Sequence, residues 1–257
     1  MKSQIKIFET GKDIGIMSSR ANFYKDDTSQ KEREVLFYET RLKLGKKYNF
    51  NGNHILRANQ KSPIKKLKYK EGKYVLITEK YMHKDDYYLE DIQTDILIIS
   101  NKYKKVAIGN PQADCPIVIC EDRKKGYTAL AHCGASYINR KLPIDIIKAM
   151  KNCCNSNLDD LYIYIGTCIS KDNYIYDTYP TWATNRDVWK RFIVNKQDGY
   201  HINMLGAIKK QLKDLGIKHI RYSKKDTYTD DNYYSHVAAH QGNKNKLGQN
   251  FVGFYYK

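Results

Sequence analysis

The chain has no Cys-x-x-Cys pair, although it carries six cysteines, at positions 115, 120, 133, 153, 154 and 168. That absence argues against a zinc knuckle and against a thioredoxin-type dithiol. No run approaches the roughly 18–20 consecutive apolar residues that a membrane helix needs, so a membrane partner is not expected. The amino-terminal stretch MKSQIKIFETGKDIG lacks the long apolar core of a secretory signal, which points to the cytoplasm and to reduced thiols. Prolines number only five, and no proline-rich linker, internal repeat or low-complexity block divides the sequence. Residues 1–257 are therefore expected to form one domain. Acidic residues are also in the minority, 28 against 45 basic ones, for a formal net charge of +17.

Most of that positive charge is lysine, and tyrosine occurs 23 times. A chain rich in Lys, Asn, Ile and Tyr reflects A+T-biased coding as readily as a binding function. The densest basic run is Lys61, Lys65, Lys66, Lys68, Lys70 and Lys73. Such a run reads as a solvated hairpin or loop, and no RNA- or DNA-binding signature accompanies it. Nucleic acid is not the expected partner. A hydrophobic content of 41% with 28% charged residues suits an ordinary folded protein.

Periodicity predicts a helix over 30–45, where Glu and Lys flank Val35, Leu36, Tyr38 and Leu42 and Gly45 stands at the stop. Strand-like runs follow at 74–78, 95–99, 116–120, 127–131 and 161–165. Residues 142–154 read as a helix with Pro143 in its first turn. The segment INMLGAIKKQLKDLG reads as another, followed by the strand-like IKHIRYS. The last run, FVGFYY, is expected to pair into a sheet. Strands interleaved with helices indicate an α/β or α+β domain, a mixed β-sheet flanked by helices.

The sharpest local pattern is QADCPIVICEDRKKGYTALAHCGA, residues 112–135. Asp114-Cys115-Pro116 opens one strand, Lys125-Gly126 reverses the chain, and a second strand ends at Ala131-His132-Cys133-Gly134. In such a hairpin the start of the first strand lies beside the end of the second. Cys115 and His132 would then meet at one edge of the sheet, as a nucleophile–base pair or as two ligands of a metal. An adjacent imidazole is expected to lower the Cys115 pKa and make it the most reactive thiol. Strand alternation turns Cys120 and Cys133 to the opposite face, and Cys154 reads as core.

Ala-Asp-Cys-Pro, an apolar strand, then Ala-His-x-Gly resembles the paired motifs of the laccase-domain proteins. That family is described variously as polyphenol oxidases, purine nucleoside phosphorylases or peptidoglycan-editing factors. SSRAN at 18–22, IGTCISKDNY at 165–174, and GYHINMLGAIKKQLKDLGIKHI followed by DTYTDDNYYSH are similar to further family segments in the same order. The resemblance implies an α/β fold with a metal-capable pocket of one thiol and two imidazoles. It also implies phosphorolysis, deamination or hydrolysis of purine nucleosides. Cys115 and His132 match the family's cysteine and one of its histidines.

The other histidine lies in a Q-V-H-G motif. The corresponding stretch, ILRANQKSPIKKL, keeps Gln60 but has Ser62 in the histidine's place. Ala135-Ser136 replace a Trp-Arg, Asp226 replaces a cysteine, and Val237 replaces an arginine. Weak or absent binding of zinc or copper is therefore expected, since a hydroxyl substitutes poorly for imidazole. The same broad fold is similar to that of cysteine amidohydrolases, including glutamine deamidases, which need only a cysteine, a histidine and a third hydrogen-bonding group.

The resulting expectation is a Cys–His enzyme acting on a nucleoside-like small molecule through Cys115 and His132, with Arg20, Gln60 and Ser62 toward the substrate. A metal-free amidohydrolase and a catalytically silent binding relative are the alternatives. Arg41 is a further candidate for an anionic substrate. His54, His201 and His219 read as structural or surface residues. His236 and His240, four apart, could share a helical face.

Overall fold

The computed structural model describes residues 2–17, 28–52, 54–60, 72–82 and 88–257. In chain order the elements are β1 (Ile5–Thr10), α1 (Gln30–Tyr48), β2 (His54–Ala58), β3 (Tyr74–Leu76), β4 (Tyr88–Ile92), β5 (Ile96–Ser100), β6 (Ala107–Gln112) and β7 (Ile117–Asp122). There follow β8 (Tyr127–His132), α2 (Ala135–Asn139), α3 (Leu142–Cys154), β9 (Leu161–Ile165), β10 (Ile175–Tyr176) and α4 (Arg186–Trp189). The chain closes with β11 (Ile193–Lys196), β12 (Gly199–Ile202), α5 (Met204–Asp214), β13 (His219–Tyr222), α6 (His236–His240) and β14 (Asn250–Tyr256).

These strands form two large mixed sheets, in the orders β1-β14-β6-β2-β4 and β13-β9-β7-β8-β5-β3, and a small sheet β10-β12-β11. Alternation explains how the large sheets stack. Leu97, Ile99, Ile117, Ile119 and Leu130 of the second sheet meet Leu56, Ile108, Val252 and Phe254 of the first. Their neighbours Ile96, Ile98, Val118, Cys120, Ala129 and Ala131 turn the other way, onto Ile146, Ile147 and Met150 of α3 and Ile208 and Leu212 of α5. The outer face of the first sheet packs Phe8, Ile55, Phe251 and Tyr255 with Leu44 of α1 and Phe50. The result is four layers, helix, sheet, sheet and helices, with the second sheet buried on both faces. The carboxyl-terminal run pairs into the first sheet, as expected, between β1 and β6.

Helix α3 spans the expected residues, whereas α1 corrects its expectation. It runs past Gly45 to Tyr48 and stops at Asn49, whose φ of 60° ends the helix in the left-handed region. Gly45 is there for another reason: a Cβ on it would lie 2.5 Å from the backbone nitrogen of Gly52. The apolar residues of the helix also differ in role. Val35 and Leu36 are 49% and 44% exposed, and the buried positions are Arg41, Leu44 and Gly45. Among the described residues no helix is long and apolar enough to cross a membrane.

Candidate active site

Antiparallel pairing of β7 and β8 sets Ile117 opposite His132, and the Cys133 N–H donates to the Pro116 carbonyl at 2.9 Å. Continued one step, that register places Cys115 across from Gly134. A Cβ on Gly134 would lie 3.2 Å from Cys115 Sγ and 3.9 Å from His132 Nε2. The thiol and the imidazole therefore face one small volume, kept open because residue 134 has no side chain. Cys120 and Cys133 belong to the core on the helix side, away from this volume.

The electrostatics overturn one expectation. His132 Nε2 is shut off from solvent and has no hydrogen-bond partner among the described residues. Burial pushes the imidazole down to about 4. The Cys115 thiol is pushed up to about 12, by burial first and then by the charge of Asp114. Desolvation outweighs any help from the neighbouring ring, so the pair rests as neutral thiol and neutral imidazole. Cys153 is the thiol held below its ordinary value, by a hydrogen bond with Cys154 across a Sγ–Sγ distance of 3.2 Å.

A cleft of about 310 Å³ opens beside His132, with Arg57, Gln60, Asn110, Ser136 and Gln249 among its walls. Gln60 Nε2 donates to the His132 carbonyl at 3.0 Å, so this predicted residue does reach the site. Asn110 holds the strand leading to it: its amide accepts from the Ala58 N–H at 3.0 Å and donates to the Ala58 carbonyl at 3.1 Å. Ser136 occupies the cleft wall where the family pattern expects an arginine. Arg20, Ser62 and most of the lysine run lie outside the described residues.

Asp114 is the residue beside the candidate pair that sequence reading did not single out. It sits at φ 81°, a strained conformation for a residue with a side chain, and is only 4% exposed. Its carboxylate accepts from the Thr227 hydroxyl at 2.6 Å and from the Val237 N–H at 2.8 Å. Its carbonyl accepts from the Ile169 N–H at 3.0 Å. Burial raises its pKa against these hydrogen bonds. The residue preceding Cys115 is thus tied to three distant segments. Val237 contributes its backbone where the family pattern has an arginine side chain. Asp226 accepts from the Ser170 N–H at 3.2 Å and from Asn173 Nδ2 at 2.7 Å.

The remaining candidates have structural places. His201 is buried between the Lys171 carbonyl and Asp198, and His219 stacks on Tyr162. Arg41 packs against the rings of Phe37 and Tyr38 instead of reaching the cleft. His236 and His240 do share a face of α6, with ring centroids 4.0 Å apart. Among the described residues no three His, Cys, Asp or Glu side chains converge closely enough to hold a metal ion. Cys115 and His132 supply two donors, one fewer than a catalytic zinc takes from protein. The described donor set does not fit the metal that the family resemblance implies.

Three solved structures share this fold over nearly its full length. The hypothetical protein YfiH of Bacillus licheniformis is 17% identical, with a TM-score of 0.72 over 99% of this chain and 93% of its own. YlmD of Geobacillus stearothermophilus is 14% identical, with a TM-score of 0.68 over 98% and 90%. Protein NMB0706 of Neisseria meningitidis, of the family DUF152, is 15% identical, with a TM-score of 0.68 over 100% and 96%. No curated protein matches the chain. Residues 42–251, which hold the hairpin, the cleft and the loops clamped to Asp114, match the family described as multi-copper polyphenol oxidoreductase laccase, and the chain belongs to that laccase-domain family.

Proposed function

We propose that this protein is a Cys–His enzyme that hydrolyses an exocyclic C–N bond of a purine nucleoside or a similar nitrogen heterocycle, releasing ammonia. The observation that carries this reading is the convergence of Cys115 Sγ and His132 Nε2 on the volume beneath Gly134, next to a cleft open to a small molecule. Sulfur adds to the amidine carbon while its proton passes to His132, which is neutral at rest and able to accept it. The adduct then expels the amino group, which takes that proton and leaves as ammonia. Water, deprotonated by His132, displaces the sulfur and restores the thiol. Ser136 and Val237, in place of two arginines, disfavour phosphate as the attacking group.

The same steps on a carboxamide would make the protein a glutamine deamidase, and the two-group centre suits that substrate equally in its chemistry. The cleft favours the nucleoside: Arg57, Gln60, Asn110 and Ser136 line a hollow of about 310 Å³, the size of a small-molecule pocket. The test is ammonia release from adenosine and guanosine, with and without phosphate, beside glutamine-bearing peptides. The parent should deaminate a nucleoside without phosphate. Cys115→Ala should lose at least about a thousandfold in kcat while keeping its circular dichroism and melting temperature. Phosphate-dependent release of the sugar, undiminished in folded Cys115→Ala, would sink the proposal, and absence of turnover in the parent would favour a silent binding relative.

A further inference from the structure

The outer strands β1 and β13 of the two large sheets border a second groove, of about 470 Å³, distinct from the cleft beside His132. Its floor is apolar, from Ile5, Ile7 and Ile119. One wall is a ladder of planar groups on neighbouring strands. The ring of His219 stacks on Tyr162 at 4.2 Å and 6°, and the Arg123 guanidinium lies 3.5 Å from the centroid of the same tyrosine. Pairing explains the ladder: Tyr162 on β9 is in register with Glu121 of β7 on one side and His219 of β13 on the other.

Charge in the groove is one-sided. Its single carboxylate, Glu121, is already engaged by the Ser3 hydroxyl at 3.0 Å, the Gln4 N–H at 2.9 Å and Arg123 Nε at 3.0 Å. On the rim, Lys218 pairs with the exposed Asp159 at 2.7 Å. Arg221 lines the groove, is exposed and makes no ion pair among the described residues. An apolar floor, a stacking wall and an uncompensated guanidinium form the combination that recognises a flat ring carrying negative charge. The volume falls within the range of single-ligand pockets, about 300–1,000 Å³.

We infer that this groove binds a planar anion, and that the class filling it is a nucleoside monophosphate, its base against the face of His219 that Tyr162 leaves free and its phosphate toward Arg221. The site is separate from Cys115 and stands whether or not the proposed hydrolysis is correct. The same chemistry is offered by an aromatic carboxylate, so the test carries both.

Isothermal titration calorimetry on the full chain should compare AMP, adenosine, inorganic phosphate and 2-naphthoate. AMP is expected to bind with an affinity that falls as salt rises, and adenosine and phosphate at least about tenfold more weakly. Arg221→Glu and His219→Ala, both at exposed positions, should each weaken AMP about tenfold or more without loss of melting temperature. Cys115→Ala should bind AMP like the parent. Binding of AMP undiminished by the two groove variants, no AMP binding at millimolar concentration, or a preference for 2-naphthoate would overturn the assignment. Capture of a single-stranded RNA oligomer without any mononucleotide would overturn it too.

Discussion

His132 stores a dependence on pH that its chemistry alone would not reveal. Its imidazole is held at about 4 in the folded protein by burial, against roughly 6.5 in an unfolded chain. Between those values the unfolded state takes up a proton that the folded state refuses, so stability falls as pH drops from about 6.5 to about 4. The contribution is on the order of 3 kcal/mol. Denaturant unfolding at a series of pH values should show this slope in the parent, and His132→Gln should lack it. An identical slope in both would mean that the ring is solvated. At this scale the sequence showed Cys115, His132 and Gln60, because each sits in a short motif. Asp114 stood in the same motif, but its role depends on Thr227 and Val237, more than a hundred residues away, and no local pattern announces such contacts.

Elements were legible where side-chain period and burial agreed. Strand β9 follows clean alternation, helix α3 a one-sided stripe and the β7–β8 hairpin two continuous apolar runs, and the structure bears them out. Strand β6 went unread because Ala107–Gln112 includes Gly109, Asn110 and Pro111, residues that ordinarily mark turns. Its glycine is needed because a Cβ there would lie 2.3 Å from the Phe251 ring, and its asparagine serves as a hydrogen-bonding partner for β2. Helix α1 misled for a related reason. Glycine inside a helix usually costs about 0.5–1 kcal/mol relative to alanine, so Gly45 reads as a stop. Here the close backbone of Gly52 reverses the balance. Gly45→Ala should lower stability by about 1–3 kcal/mol instead of raising it, as read from the melting temperature. A rise would show that the loop at residues 50–52 can withdraw.

Over the whole molecule, the candidate pair hangs from the most enclosed strands. β7 and β8 are interior in their sheet and covered on both faces, whereas β13 is an edge strand with mostly exposed residues. Amides at Ile119 and Leu130 should exchange with deuterium only through global unfolding, at the free energy measured by denaturant, and those of β13 much sooner. Exchange at Leu130 ahead of β13 would mean that the hairpin opens on its own. The cleft wall is mounted differently. Gln60 follows the end of β2, and Ser136 lies in the five-residue α2. Mutational drift can therefore alter these rim positions cheaply while the sandwich purges changes to the strands beneath them. A lineage could exchange one substrate for another by editing two side chains, and its thiol and imidazole would never have to move.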